Sequence, residues 1–360
     1  MTTKSINFIV GIALCLYGCT TDGALSLDDR ATVQVLAERK LTQTALAGPV
    51  KTLAVTEITS LVVSATNSPM SGAQTSTSSP SSTPIYGGGK IAFISNRDGV
   101  SRLYMMDPDG KGQTRLTDHL LGSRDPAWSQ DGQRLLYIAE LGERQSSVRI
   151  IDVQNGLETI AANLDVASES PSWAPHDQIV LAADLCEFNC GKDDPTYYSR
   201  ILTLNIEGGD RRQLSPSESR FFRPVVSPDG SRILAESNNS IVVFRMSDFT
   251  QDPFVVPIAY RNSQDGAWSP DGRHIAFVSY QEDNYDLFIR NISTGEITQL
   301  TDSTESERFP SWSPDGQWIV FSTNRDGNWE IYVMSLNGSK LTRLTDDSGK
   351  DTEPDWSPVD

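Results

Sequence analysis

A chain that repeats one phrase six times at a near-constant period has few folds open to it. The phrase "FPSWSPDGQWIVFS" at 309 returns as "DPAWSQDGQRLLYI" at 125, "SPSWAPHDQIVLA" at 170, "RPVVSPDGSRILAE" at 223 and "DGAWSPDGRHIAFV" at 265, and its last copy is "EPDWSPVD" at 353. With Trp128, Trp173, Val226, Trp268, Trp312 and Trp356 as markers, the intervals are 45, 53, 42, 44 and 44 residues. A second word, "RLTD" or a variant of it, recurs at Leu116, Leu214, Leu300 and Leu344. Unrelated loops would not keep such a register, so the period marks one structural unit stacked on itself.

Within the clearest unit four apolar segments, "PSWS", "WIVFST", "EIYVMSL" and "KLTRLT", are divided by turn words. Four short strands in about 40–45 residues make a β-propeller blade. Pro-Asp-Gly closes a tight turn, because Pro presets φ, Asp bonds the next stretch of backbone and Gly accepts positive φ. The Trp is large enough to fill the wedge between neighbouring blades. Gly87 to Thr117 matches the residues after the Trp phrase in the other copies, with "SNRDG" at 95 against "TNRDG" at 323. That segment supplies strands two to four of a blade, and the closing "EPDWS" supplies strand one. The expectation is an all-β, six-bladed propeller of four-stranded blades, its ring closed by the C-terminal strand joining the N-terminal blade.

The same words carry a family likeness. "FPSWSPDGQWIVFSTNRDGNWEIYVMSLNGSKLTRLT" resembles the WD40-like repeat of TolB-type propellers, and the resemblance covers residues 87–360. It implies six blades around a central channel. The chain departs from TolB before residue 87, where TolB carries a folded α/β domain. Within the repeats Val226 replaces Trp, Gly266 replaces Pro, and "APHD" at 174–177 replaces "SPDG". These copies are expected to be locally irregular blades.

Residues 1–86 have a different texture. Lys4 and then an apolar run from Ile6 to Gly18 suit a secretory signal, and the run is too short to span a bilayer. "LYGC" ending at Cys19 resembles a bacterial lipobox, with Tyr17 where small residues are usual; lipidation of Cys19 is expected, with ordinary cleavage nearby or a short uncleaved anchor left open. Residues 20–58 hold a short amphipathic helix from Ser26 to Ala47, stopped by Gly48-Pro49. From Thr59 to Thr83, 14 of 25 residues are Ser or Thr, too polar to offset the ordering entropy, so 59–86 reads as a disordered linker. Cys186 and Cys190 are expected to form a disulfide, since an isolated C-x-x-x-C gives poor support for a metal site.

A formal charge of -17 with no basic run longer than two residues argues against nucleic-acid binding. No G-x-S-x-G elbow or phosphate loop is present, and His119, His176 and His274 fall at different levels of the repeat, so neither a catalytic motif, a cofactor nor a metal is expected. In a propeller the segments leading into the innermost strands ring one mouth of the channel, the default place for a ligand. Repeat phase puts Arg124, Asp125, Glu169, Arg223, Asp265, Arg308 and Glu353 there, with Ser170, Phe222, Gln264, Phe309 and Thr352 beside them. The long third interval maps to 184–200, whose Asp193, Asp194, Tyr197 and Tyr198 form a second candidate site. The expectation is a non-enzymatic, extracytoplasmic, monomeric propeller, tied to the membrane by a lipid alone or else secreted, that binds a protein, peptide or glycan. The alternative is a hydrolase or lyase using carboxylates at the mouth, and a purely structural spacer is the third option.

Overall fold

The computed structural model describes residues 86–358 except 143–144, 165–167, 185–198, 217–219, 256–259, 261 and 282, with backbone alone at 168–169, 184 and 252–255. The expected leader, helix, linker, Cys19, the Cys186–Cys190 pair and the acidic and Tyr residues of the 184–200 insertion lie outside the described residues. All regular structure among the described residues is strand, arranged in six four-stranded antiparallel sheets.

Blade 1 holds β1 (Ile91–Ser95), β2 (Arg102–Met106) and β3 (Thr114–Arg115); blade 2 holds β4 (Ser123–Trp128), β5 (Arg134–Gly142), β6 (Gln145–Asp152) and β7 (Glu158–Leu164). Blade 3 is β8 (Ser168–Ala174), β9 (Gln178–Asp184), β10 (Ser199–Asn205) and β11 (Arg212–Gln213), and blade 4 is β12 (Phe222–Val226), β13 (Arg232–Ser237), β14 (Ser240–Arg245) and β15 (Gln251–Val255). Blade 5 is β16 (Gln264–Trp268), β17 (His274–Gln281), β18 (Asn284–Asn291) and β19 (Ile297–Gln299), and blade 6 is β20 (Glu307–Trp312), β21 (Trp318–Thr323), β22 (Glu330–Ser335) and β23 (Leu341–Arg343). The innermost strand of blade 1 is β24 (Asp351–Trp356), which pairs with β1 through Ile91↔Trp356 and Ser95↔Asp351.

The repeated words are hydrogen-bond devices. At Ser129, Ser227, Ser269 and Ser313 the hydroxyl donates to the Asp two residues on at 2.5–2.6 Å and accepts the N–H five residues on at 2.9–3.0 Å. The Gly after that Asp takes φ of +65° to +69°, which a side chain would resist. The "APHD" copy is one residue shorter and turns with His176 and Asp177 both at positive φ. In "NRDG" the Asp ties three strands: Asp98 accepts the Tyr104 hydroxyl and Arg115, and Asp326 accepts the Tyr332 hydroxyl and Arg343. The Thr of "RLTD" caps the third strand, accepting Leu103 N–H at Thr117 (3.0 Å) and Ile331 N–H at Thr345 (2.9 Å).

Apolar alternation along the central strands buries side chains on both faces, as a blade stacked between two others requires. Six separate hydrophobic clusters result, each joining one blade to the next, from Ile94–Tyr137 between blades 1 and 2 round to Phe93–Val333 between blades 6 and 1. Trp128, Trp173, Trp268, Trp312 and Trp356 each sit in one of them. Trp128, Trp173, Trp268 and Trp312 donate Nε1–H to a backbone carbonyl of the preceding blade's inner strand, at 3.0–3.2 Å. Where Val226 replaces Trp, Phe221, Phe244 and Phe249 fill the wedge, the last two stacked at 4.2 Å.

Candidate functional site

Six inner strands converge on the axis, and each carries an irregularity at the same place. The register between first and second strands slips once in every blade. The residue at the slip has positive φ: Asp125 (53°), Ser170 (45°), Arg223 (47°), Asp265 (52°), Phe309 (54°) and Glu353 (54°). Such backbone is costly for residues with a Cβ, yet it occurs in all six blades, so it belongs to the architecture. Repeat phase places these positions at the ends of the lead-in loops; in the structure they lie within the strands, in bulges. Pro comes next in five blades and lacks an N–H to leave unpaired, while Gly266 takes that place in the sixth.

The bulge frees the N–H of the slipped residue from the ladder, and in blades 2, 3, 5 and 6 the preceding blade accepts it. Asp125 N–H donates to Glu353 Oε2 (2.7 Å), Ser170 N–H to Asp125 Oδ2 (3.1 Å), and Phe309 N–H to Asp265 Oδ2 (3.2 Å). In blade 4 the ring residue is Arg223 and has no acceptor, so Glu236 of β13 takes the Asp265 N–H instead, at 2.7 Å. One layer further along the axis, Asp355 accepts Trp128 N–H (2.8 Å) and the Ser311 hydroxyl (3.0 Å).

Burial sets the electrostatics of this ring. Loss of solvent, then the neighbouring Asp125, pushes Glu353 up to about 7; loss of solvent, then Asp265, does the same to Glu236. Burial alone carries Asp355 to about 6. Burial opposes the charge of Arg223, but Asp265 and Glu236 outweigh it and hold the guanidinium more firmly protonated than usual. Arg308 grips Asp265 through Nε (2.6 Å), Arg223 reaches the other oxygen of Asp265 at 3.1 Å, and Arg124 pairs with Asp125. Ring residues, the prolines after them and the Trp wall enclose an axial cavity of about 480 Å³. At its far end Gln130 Nε2 donates to the Pro228 carbonyl (3.0 Å), linking blades 2 and 4.

Residues 262–360 match the TolB beta propeller domain. Among solved structures, TolB from Acinetobacter baumannii superposes with a TM-score of 0.65 at 21% identity, covering 75% of this chain and 66% of that one. The body is a TolB-like six-bladed β-propeller. Among curated relatives, the Tol-Pal system protein TolB of Anaeromyxobacter dehalogenans is 33% identical over 182 residues, 49% of this chain and 40% of its own length. The Bacillus subtilis protein described as an uncharacterized peptidase YuxL is 28% identical over 153 residues, 42% of this chain and 20% of its own. The matches thus span well under two thirds of these relatives.

Within the TolB-like propeller the expected site residues gather into two groups. Arg124, Asp125 and Glu353 meet at blades 1 and 2, and Arg223, Asp265 and Arg308 meet at blades 4 to 6. Glu169 lies at the same level in β8 by its backbone pairing with Ala182. Asp125 and Asp265 have different acidic neighbours, Glu353 and Glu236 respectively, and Arg223 lies within electrostatic reach of all four. Motif reading misses Glu236 and Asp355, although the sequence carries a signal for both. Glu236 stands in a strand position held elsewhere by Ile94, Ile138, Ala182, Val278 and Ser322, and Asp355 in one held by Ala127, Ser172, Val225, Ala267 and Ser311. His119 bonds Tyr137 and Glu158, His274 packs beside Trp312, and His176 is an exposed turn residue. Among the described residues no group of three His, Cys, Asp or Glu is placed to hold a metal ion.

Proposed function

We propose that the chain is a non-enzymatic binding propeller of the cell envelope, anchored by a lipid on Cys19, that engages a protein partner at the ring mouth of its channel. One observation carries this reading. The acids best poised to trade protons, Glu236 and Glu353, each accept a backbone N–H from the next blade. They act as internal fasteners, leaving arginines and aromatics to face the mouth. The signal-like start and the Tol-Pal name of several relatives support the envelope and a protein partner. The 184–200 insertion, with Asp193, Asp194, Tyr197 and Tyr198, is a second contact surface in the same proposal.

The hydrolase or lyase reading draws on one specific observation, two carboxylates held near neutrality beside further acids. Capture from native envelopes by the full chain separates the two. Thr352 precedes Glu353 in a repeat position that elsewhere holds Arg124, Phe222 and Arg308, so Thr352→Trp narrows the mouth without crowding the core. Binding at the mouth predicts a partner retained by the wild type and lost by T352W. Equal capture by both, or turnover of envelope peptide or polysaccharide with no retained partner, would sink the proposal.

A further inference from the structure

A strip of alternating rings and guanidinium groups runs outward from the channel mouth across blades 4 to 6. At its outer end Tyr280, 42% exposed, faces Tyr285 across the β17–β18 hairpin with ring centroids 5.3 Å apart. Arg308 lies 4.9 Å from the Tyr285 centroid and 5.2 Å from that of Phe309. Arg223 completes the strip, 4.9 Å from the other end of the row at Phe309. Guanidinium groups over rings gain from the ring quadrupole and are held flat.

Both arginines are only partly satisfied. Arg308 directs Nε and Nη2 to Asp265 and Gln264, and Arg223 directs Nη1 to Asp265 and Nε towards Glu236. Among the described residues Arg308 Nη1 and Arg223 Nη2 have no hydrogen-bond acceptor, and the two side chains stay 23% and 29% exposed. Both cations pair with Asp265, and Arg223 also lies within electrostatic reach of Glu236, Asp125 and Glu353, so Arg308 presents the less compensated planar donor of the two. At the outer end, Asp283 in the hairpin between the tyrosines disfavours an anion beside Tyr280.

Building on the mouth-binding reading, we propose that this strip docks an acidic peptide segment of the partner. Its side-chain carboxylates meet the free edges of Arg308 and Arg223, and an adjoining apolar side chain covers Tyr280. Planar guanidinium matches carboxylate geometry in a way that an ammonium does not. Tyr and Arg are the residues that dominate protein–protein binding energy. A glycan fits less well, because Arg308 covers a face of both Tyr285 and Phe309 and leaves Tyr280 as the one broadly open ring in the strip.

The test uses the full chain and a fluorescein-labelled dodecapeptide built of Asp-Asp-Phe steps, with an Asn-for-Asp version and an oligogalacturonate of matched charge as comparators. The Asp peptide should bind, the Asn version about tenfold more weakly, and R308K should lose about tenfold despite keeping its charge. Y280A, at an exposed site, should lose roughly three- to tenfold with an unchanged melting curve. Equal binding of the Asn peptide, no binding of either peptide, tighter oligogalacturonate binding, or unchanged affinity in R308K and Y280A would each overturn the strip as a peptide site. A partner captured from envelopes that T352W loses but R308K and Y280A retain would overturn this inference and leave mouth binding intact.

Discussion

Glu236 and Glu353 hold their protons up to about pH 7, against an ordinary glutamate at 4.5. A folded-state pKa raised in this way contributes stability that is complete below about 4.5 and is lost as pH climbs through 7. The wild type should therefore lose about 1–3 kcal/mol of stability between pH 5 and 8 from these two sites, an order of magnitude set by the shift and by partial solvent access. Gln at both positions keeps an amide oxygen to accept the next blade's N–H and removes the charge. The double variant should show a flatter profile and a higher melting point than wild type at pH 8; a profile as steep as wild type would refute the assignment. Repeat phase marks Glu353 as a mouth residue, whereas Glu236 is not legible from motifs, because it works through a neighbour's backbone. The one mark of Glu236 is an acid in an otherwise uncharged repeat column, a clue that needs the blades aligned strand by strand.

At the level of elements, the words of the repeat are readable because each has a local physical task. Ser-Pro-Asp-Gly closes the first turn, Asn-Arg-Asp-Gly binds the Tyr and Arg of the next two strands, and Thr caps the third strand. The inner-strand bulge is not readable, since at Asp125 and Ser170 the N–H that the bulge turns out of the ladder is met by an acceptor in another blade. Blade 4 shows the same limit. Its missing Trp signals irregularity, while the replacement comes from Phe221, Phe244 and Phe249 in other segments. Restoring the consensus by Val226→Trp should thus destabilise the protein by about 1–3 kcal/mol through overpacking, read as a lower denaturant midpoint. Trp173→Ala, which empties a wedge with no such filler, should cost about 3–5 kcal/mol. A stabilising V226W would show that blade 4 has room to spare.

For the whole molecule, the period of the Trp phrase is enough to place six blades, and the strand pairing agrees with it: β24 lies beside β1 although some 260 residues separate them. Trp356 is buried there and donates to the Gly88 carbonyl at 2.8 Å, while Arg97 reaches the fully buried Asp351 at 2.8 Å. Removing residues 351–360 strips both interactions and opens a cluster shared by blades 6 and 1. The melting temperature of the entire body should fall; loss confined to local hydrogen-exchange protection in blade 1 would argue that the blades are energetically separate. The ligand is the property that sequence does not disclose at this scale, because a propeller mouth is assembled from one or two residues of each blade.

Ring acids that fasten blades together, inside a mouth that binds through other groups, make a separable pair of roles. They are separated by the amount of envelope partner retained by the full chain carrying Glu236→Gln and Glu353→Gln together. Internal fasteners with their acceptor oxygens preserved predict retention within about twofold of wild type, since changes away from a contact usually alter free energies by no more than about 0.5 kcal/mol. Loss of the partner by a variant that melts no lower than wild type would contradict those roles, because the carboxylates would then be acting on the ligand.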